Sequence, residues 1–276
     1  MPNCVCGKYS RLLKAIVVVA IPVLLGVYLL PPEVDPMEFP DFDKTALSTK
    51  TAFVLGHTGG IGQQIVRLLL EKRIFKNVVL IGRREVDFGS DPLYKDVIQR
   101  VVDFDKIEEH PQAFEGVDVG FCALGTTRAK AGKEGFIKVD HDYIVNSAKV
   151  AKAAGCQHFS LISSTGANPN SWFLYPRVKG ETERDVEALG FPRVTIIRPG
   201  VLEGERAEPR LVERVAVCAF KPIKYFRPTA LSVPMVTVAK AAIVDTFLKP
   251  EDGKATEILD NAALHHRGVH FDKIFG

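Results

Sequence analysis

A tyrosine and a lysine four residues apart form the most specific chemical pattern in this chain of 276 residues. Tyr175 and Lys179 share one face if their segment is helical, because residues four apart are neighbours on a helix. An ammonium beside a phenol stabilises the phenolate, so the tyrosine can exchange a proton with a carbonyl or alcohol oxygen. The pair predicts general acid–base chemistry, with Lys179 also placed to hold a nicotinamide ribose.

Two serines, Ser163 and Ser164, lie at the end of the strand predicted over residues 158–163 and could complete this site. A serine hydroxyl at a strand end can orient a substrate oxygen, and we expect Ser164, or else Ser163, to do so. Because a lone Tyr-x-x-x-Lys pattern arises by chance in many proteins, its weight depends on a cofactor-binding pattern elsewhere in the chain.

That second pattern is the glycine-rich run from Gly56 to Gly62, which lies where a predicted strand turns into a predicted helix. Gly56 permits a tight turn, Gly59 and Gly60 allow backbone N–H groups to approach a pyrophosphate, and Gly62 lets the helix pack closely on the strand. The helix N-terminus adds partial positive charge. The run predicts a dinucleotide site rather than a plain glycine turn.

Two arginines, Arg83 and Arg84, stand at the end of the second predicted strand. An Asp or Glu normally occupies this place when NAD is bound, whereas a guanidinium suits the 2′-phosphate of NADP(H). The pattern favours NADP(H) as the cofactor over a reading in which both arginines are merely solvated.

Two further strand ends could touch the cofactor. Asp103 lies at the end of the third predicted strand and could flank the adenine, although an acid there is often only a turn residue. Leu124 and Gly125 follow the fourth and resemble the glycine-containing loop that passes under the nicotinamide ribose, the alternative being a plain loop.

The elements that must position these residues alternate between strands and helices. Short apolar strands are predicted over residues 51–56, 77–82, 97–103, 117–122, 158–163 and 193–198, and helices over residues 61–72, 106–114, 141–154 and 178–189. Near-continuous apolar strands separated by helices indicate an α/β fold with a doubly wound, mostly parallel Rossmann sheet. We expect one such domain over residues 50–276.

Composition excludes several other classes. With 46% hydrophobic residues and a net charge of only +3, the chain is globular and is not expected to bind nucleic acid. The five cysteines and seven histidines form no cluster with metal-ligand spacing, so no metal site is predicted, and no Gly-x-Ser-x-Gly elbow indicates a serine hydrolase.

The N-terminal segment differs from the rest of the chain. Lys8, Arg11 and Lys14 precede an uncharged apolar run that ends at Pro31-Pro32. We predict an anchor helix over residues 1–31, inserted in a membrane through residues 12–30, and a linker over residues 32–49. A cleaved signal peptide is the alternative, but no Ala-x-Ala-like site follows the run.

The sequence gives conflicting indications about which side of the membrane the globular body faces. Basic residues before the run and acidic residues after it would carry the body across the membrane. An odd number of cysteines and the absence of N-glycosylation sequons favour a cytosolic body, which a shallow insertion would allow. We expect membrane association at the endoplasmic reticulum or the mitochondrial outer membrane, with the body facing the cytosol.

Several of these motifs together resemble the atypical short-chain dehydrogenase/reductases and, more narrowly, the animal Tat-interacting oxidoreductase-like proteins and their fungal relatives. The resemblance rests on Leu80-Ile-Gly-Arg-Arg84, Val119-Gly-Phe-Cys122, Gly125-Thr-Thr-Arg128, Lys130-Ala-Gly132, Phe173-Leu-Tyr175 and Arg198-Pro-Gly200. It covers about residues 50 to 265 and implies NADPH binding.

The resemblance also implies roles for single residues. Cofactor contacts fall on Thr58, Gly59, Gly60, Ile61, Arg83, Arg84, Leu124, Gly125, Tyr175, Lys179 and Leu202. Tyr175 matches the proton donor and acceptor. The apolar N-terminus departs from the short soluble one of the animal proteins, which puts their nuclear roles in doubt here.

The sequence therefore predicts a membrane-anchored NADP(H)-dependent oxidoreductase that acts on a small carbonyl or alcohol substrate. The alternative is an NADPH-responsive module that signals to a protein partner with little or no turnover.

Overall fold

The computed structural model describes residue 43 and residues 45–204, 232–248 and 253–276 of the chain. The predicted anchor over residues 1–31 lies outside these ranges, as does most of the predicted linker. Among the described residues, no helix combines the length and the apolarity that a bilayer crossing requires.

A seven-stranded parallel sheet forms the centre of the described fold. Its strands are β1 (Thr51–Leu55), β2 (Asn77–Gly82), β3 (Ile98–Val101), β4 (Val119–Cys122), β5 (His158–Ile162), β6 (Arg193–Ile197) and β9 (Thr256–Leu259). A separate parallel pair joins β7 (Val201–Glu203) to β8 (Ser232–Pro234). The predicted doubly wound parallel sheet is confirmed.

The strand order is β3-β2-β1-β4-β5-β6-β9, so the chain reverses its direction of winding between β1 and β4. Val54 of β1 pairs with Leu80 of β2 on one side and with Phe121 of β4 on the other. Ligands of such sheets bind outside the carboxyl ends of the strands at this reversal. The glycine run follows β1 directly and therefore lies at that point.

Helices cover both faces of the sheet. They are α1 (Gly60–Glu71), α2 (Arg128–Ile137), α3 (Tyr143–Ala153), α4 (Leu174–Ala188), α5 (Met235–Asp245) and α6 (Asn261–Phe275). Residues of α1, α5 and α6 share one apolar cluster with Val54, whereas residues of α3 and α4 share the other with Phe53 and Leu55. Alternate residues of β1 thus point to opposite faces, as a strand requires.

Local geometry departs from three sequence predictions, one of which is the helix predicted over residues 178–189, because that helix begins earlier, at Leu174. The helix predicted over residues 106–114 is wrong, because the chain forms two 3₁₀ segments, Phe104–Glu109 and Pro111–Phe114, with non-helical backbone at Lys106. The predicted helix over residues 141–154 begins later, at Tyr143, after a π-helical turn over Lys138–Asp142.

Candidate active site at the carboxyl edge of the sheet

The glycine run makes close backbone contacts that side chains would prevent. Gly56 has a φ of +76°, and a Cβ there would overlap the carbonyl of Ala123, which follows β4. A Cβ at Gly62 would lie 2.8 Å from the carbonyl carbon of Gly56, so the first turn of α1 packs directly on the loop. The N–H of Gly59 donates to the carbonyl of Gly56 at 2.9 Å. These contacts support the predicted use of the run as a dinucleotide cradle.

The other residues predicted to contact the cofactor near the start of α1 lie in or around this loop. Thr58 and Gly59 are exposed, whereas Ile61 and Gly62 are buried in α1. Gly60 packs against the Met235 side chain at the start of α5, and Leu202 of β7 packs against the same apolar cluster as Met235. Thr58 and Gly59 are therefore the part of the loop that solvent reaches, and Gly59 presents only backbone there.

His57 fills the space between the ends of β1 and β2. The residue is buried, and its ring lies so close to Gly82 that a Cβ at Gly82 would be 2.7 Å from its Cε1 atom. Burial lowers the pKa of this imidazole, which keeps the ring neutral. Positive charge at the end of β2 consequently comes from Arg83 and Arg84, whose side chains are exposed.

Asp103 has a local role in the fold. It is exposed, and its Oδ1 atom accepts from the N–H of Asp105 at 2.9 Å, which caps the 3₁₀ segment that begins at Phe104. This arrangement matches the turn role that the sequence left open beside adenine contact.

Tyr175 and Lys179 lie in the first turns of α4, as their spacing predicted. Tyr175 is 49% exposed, and its ring stacks on the buried Phe136 of α2. Lys179 is buried, and its ammonium interacts electrostatically with the Tyr175 phenol. Helix α4 thus places a solvent-accessible phenol one turn from a buried positive charge.

The partner of that charge is Asp140, which the sequence analysis did not single out. Its Oδ1 atom lies 2.9 Å from Lys179 Nζ, and Asp140 is only 1% exposed. Although burial disfavours an ammonium, the Asp140 carboxylate outweighs it and holds the pKa of Lys179 above its ordinary value. Lys179 is therefore charged at neutral pH.

The two predicted serines have different surroundings. Ser163 is buried, and its hydroxyl donates to Glu183, which also accepts from Arg198 Nε at 3.0 Å. Ser164 is half-buried, and its hydroxyl has a longer 3.3 Å contact with the carbonyl of Thr165. The Ser164 hydroxyl is therefore more accessible to a ligand than the Ser163 hydroxyl.

Leu124 and Gly125 lead from β4 into α2, which Thr127 caps by accepting from the N–H of Lys130 at 3.2 Å. Gly125 is exposed, whereas Leu124 packs against the apolar cluster of α3 and α4. The N–H of Thr126 donates to Asp140 Oδ2 at 2.7 Å. One carboxylate thereby joins this loop to Lys179.

Two aromatic residues precede Tyr175 and are exposed. Trp172 is 96% exposed and Phe173, the residue before α4, is 77% exposed. With Tyr175, they place three exposed aromatic residues within four positions of the chain.

Known proteins resemble this chain in sequence. A family model described as NAD(P)H-binding matches residues 56–217. Protein HTATIP2 of Rattus norvegicus is 44% identical over 226 residues, which cover 82% of this chain and 92% of that protein. The mitochondrial protein FMP52 of Debaryomyces hansenii is 35% identical over 228 residues, 78% of this chain and 97% of that protein. FMP52-1, mitochondrial, of Scheffersomyces stipitis is 36% identical over 213 residues, 73% of this chain and 92% of that protein.

Solved structures share the fold at lower sequence identity. MoeE5 in complex with UDP-glucuronic acid and NAD superposes with a TM-score of 0.59 at 16% identity, covering 76% of this chain and 75% of that one. The structure of gox2253 superposes with a TM-score of 0.56 at 20% identity, covering 76% of this chain and 70% of that one. The chain belongs to the NAD(P)H-binding family and, within it, to the Tat-interacting oxidoreductase-like proteins, the group of protein HTATIP2 and its fungal FMP52 relatives.

Proposed function

We propose that this protein is an NADP(H)-dependent oxidoreductase that reduces a carbonyl compound or oxidises the corresponding alcohol. The observation that carries the proposal is the buried Lys179 ammonium, held by Asp140 one helical turn from the half-exposed phenol of Tyr175. A buried charge is costly unless it is paired, and buried charges near a cleft are often functional. Here Asp140 pairs with the Lys179 ammonium, which also interacts with the Tyr175 phenol.

The cofactor would lie along the carboxyl edge of the sheet. Backbone N–H groups of Gly59 and Gly60 and the start of α1 would hold the pyrophosphate, and Arg83 and Arg84 the 2′-phosphate. The remaining contacts would come from Thr58, Ile61, Leu124, Gly125, Lys179 and Leu202. A bound nicotinamide supplies the hydride that the protein itself lacks.

The chain's own residues would handle the proton. Tyr175 donates its hydroxyl proton to the carbonyl oxygen during reduction, and the Lys179 ammonium stabilises the phenolate left behind. Ser164 donates a second hydrogen bond that orients the same oxygen. In alcohol oxidation each of these steps runs in reverse.

A turnover screen tests this function. The full-length protein in mild detergent is mixed with NADPH and a panel of aldehydes, ketones and quinones, and NADPH consumption is followed. The proposal expects consumption that depends on at least one carbonyl compound. Tight NADPH binding without consumption across the panel would favour the second candidate.

That candidate is an NADPH-responsive binding module. One observation favours it, namely the exposed Trp172 and Phe173 immediately before α4, because exposed aromatic patches are typical of protein contacts. In the module, cofactor occupancy would change how this surface meets a protein partner.

Membrane association through residues 12–30 belongs to the same proposal. The fungal FMP52 relatives are named mitochondrial, which favours mitochondria over the endoplasmic reticulum as the location. The proposed site is the mitochondrial outer membrane, with the body facing the cytosol. Full-length protein should stay with membranes after carbonate extraction, and deletion of residues 1–31 should release it. Protease added to intact organelles should digest the body, whereas full protection would contradict the cytosolic orientation.

A further inference from the structure

One carboxylate connects the two halves of the candidate site. Asp140 Oδ1 lies 2.9 Å from Lys179 Nζ, and Asp140 Oδ2 accepts from the N–H of Thr126 at 2.7 Å. A Cβ placed on Gly125 would lie 3.3 Å from Asp140 Oδ1, so the loop after β4 packs tightly over the carboxylate. A displacement of Asp140 would therefore move both the loop and the lysine.

The backbone around Asp140 is held from α4 as well. Asp140 lies within the π-helical turn over Lys138–Asp142, and its carbonyl accepts from Thr182 Oγ1 at 2.8 Å. The same hydroxyl lies 2.8 Å from the carbonyl of Val178, one residue before Lys179. Single π turns inside helices are frequent at functional sites.

From this geometry we infer that Asp140 is a positioning residue that couples cofactor binding to proton transfer, by fixing the Gly125–Thr126 loop and the Lys179 ammonium with the two oxygens of one carboxylate. The inference rests on the proposed function, because it assigns the loop to the nicotinamide ribose and Lys179 to the phenol.

The groups that face Lys179 make its charge depend on this carboxylate. They are Asp140, the Tyr175 phenol and the Cys122 thiol. Burial raises the pKa of Cys122 to about 12, so that thiol is neutral at physiological pH. The ion pair with Asp140 consequently offsets the burial of Lys179, and without it burial would drive the pKa of Lys179 down into an accessible range.

Asp140→Asn therefore gives a readout that a purely structural role would not. We expect the dissociation constant of NADPH for wild-type full-length protein to change little between about pH 7 and about pH 9.5, because paired Lys179 stays charged. For Asp140→Asn we expect affinity about 10-fold weaker at neutral pH, and at least about 10-fold weaker again at the alkaline end as Lys179 loses its proton.

Two further variants assign the effect to Lys179. In the double variant Asp140→Asn with Lys179→Met, the pH dependence should disappear because the titrating group is gone. Asp245→Asn is the matched control, since Asp245 is also fully buried and its carboxylate pairs with Arg193 at 3.0 Å, but this pair lies outside the candidate site. It should lower stability without adding a pH dependence to NADPH binding.

The outcomes separate this inference from the proposed function. Wild-type protein that fails to bind NADPH refutes both. NADPH binding that stays independent of pH in Asp140→Asn, or a pH dependence that persists after Lys179→Met, overturns the role of Asp140 alone. If Asp140→Asn does not fold, Asp140→Glu keeps the charge but shifts it by one methylene; NADPH affinity several-fold weaker is expected, and wild-type affinity would contradict the inference.

Discussion

The ring of Tyr175 stacks on Phe136 of α2, with ring centroids 5.7 Å apart and planes inclined by 23°. Phe136 is 1% exposed, so it supports the ring from within the protein, while Tyr175 itself is 49% exposed. Helix α2 follows the loop of Leu124 and Gly125, and this stacking therefore fixes the phenol relative to the proposed nicotinamide site.

Tyr175→Phe should preserve that stacking and remove only the hydroxyl. We expect unchanged NADPH affinity and a free energy of unfolding within about 0.5 kcal/mol of wild type, because an aromatic ring is replaced by an aromatic ring. Turnover should fall by about 10²–10⁴, the usual contribution of a general acid. Steady-state kinetics with any substrate found in the screen provides the measurement, and wild-type turnover would rule out this role.

Arg83→Ala tests the choice of cofactor. A charge-assisted hydrogen bond to the 2′-phosphate contributes about 1.5–3 kcal/mol, so NADPH should bind roughly 10-fold or more weakly while NADH affinity changes little. Arg67→Ala is the control, because Arg67 is an arginine of α1 that pairs with Glu71 at 2.6 Å. The measurement is a titration of each variant with both cofactors. Equal losses of NADPH and NADH affinity in Arg83→Ala would contradict the assignment of NADP(H) as the cofactor.

Substitution of Ser164 should affect turnover, whereas substitution of Ser163 should affect stability. Ser164→Ala should lower turnover by about 10²-fold, as loss of an oxyanion donor does, with little change in the free energy of unfolding. Ser163→Ala removes a buried hydrogen bond to the Glu183 carboxylate and should cost about 1.5–3 kcal/mol of stability. Denaturant unfolding and kinetics on both variants test this, and the reverse pattern would assign the substrate to Ser163.

Buried His158 should make the protein sensitive to mild acid. Burial, aided by the Arg193 charge, lowers the pKa of His158 to about 3. The unfolded chain has a histidine pKa near 6.5, so below about pH 6.5 only the unfolded state takes up this proton and stability falls; above that value the contribution is complete. The free energy of unfolding should therefore be about 1.4 kcal/mol lower at about pH 5.5 than at neutral pH.

His158→Gln provides the matched comparison. His158 Nε2 lies 2.8 Å from Thr195 Oγ1, which donates to Asp245 at 2.5 Å, and a glutamine amide can replace this contact without titrating. The difference in unfolding free energy between about pH 7.5 and about pH 5.5 should shrink by about 1.4 kcal/mol in the variant. An unchanged difference would place the acid sensitivity elsewhere.

Local patterns predicted the parts of the fold that depend on neighbouring residues. The apolar run of β2 predicted its bounds, Asn77–Gly82, and the glycine spacing predicted the turn after β1, because strand formation and backbone freedom are visible in short windows. The helix predicted over residues 106–114 was wrong because Asp103 caps a short turn and Pro111 begins another.

Contacts between distant segments escaped prediction. Nothing about Asp140 in isolation distinguishes it from a solvated acid, since its importance comes from Lys179 and Thr126, which other elements bring to it. Likewise β9 pairs with β6 through Val194 and Thr256, and no short motif in the sequence predicts that register.

Isotope transfer tests the central claim most directly. NADPH carrying deuterium at the transferable C4 position is incubated with the full-length protein and an aldehyde or ketone from the screen, and the alcohol product is analysed by mass spectrometry. The account predicts one deuterium on the former carbonyl carbon with wild-type protein and about 10²–10⁴-fold slower product formation with Tyr175→Phe. Tight NADPH binding with no deuterium in any product would contradict it.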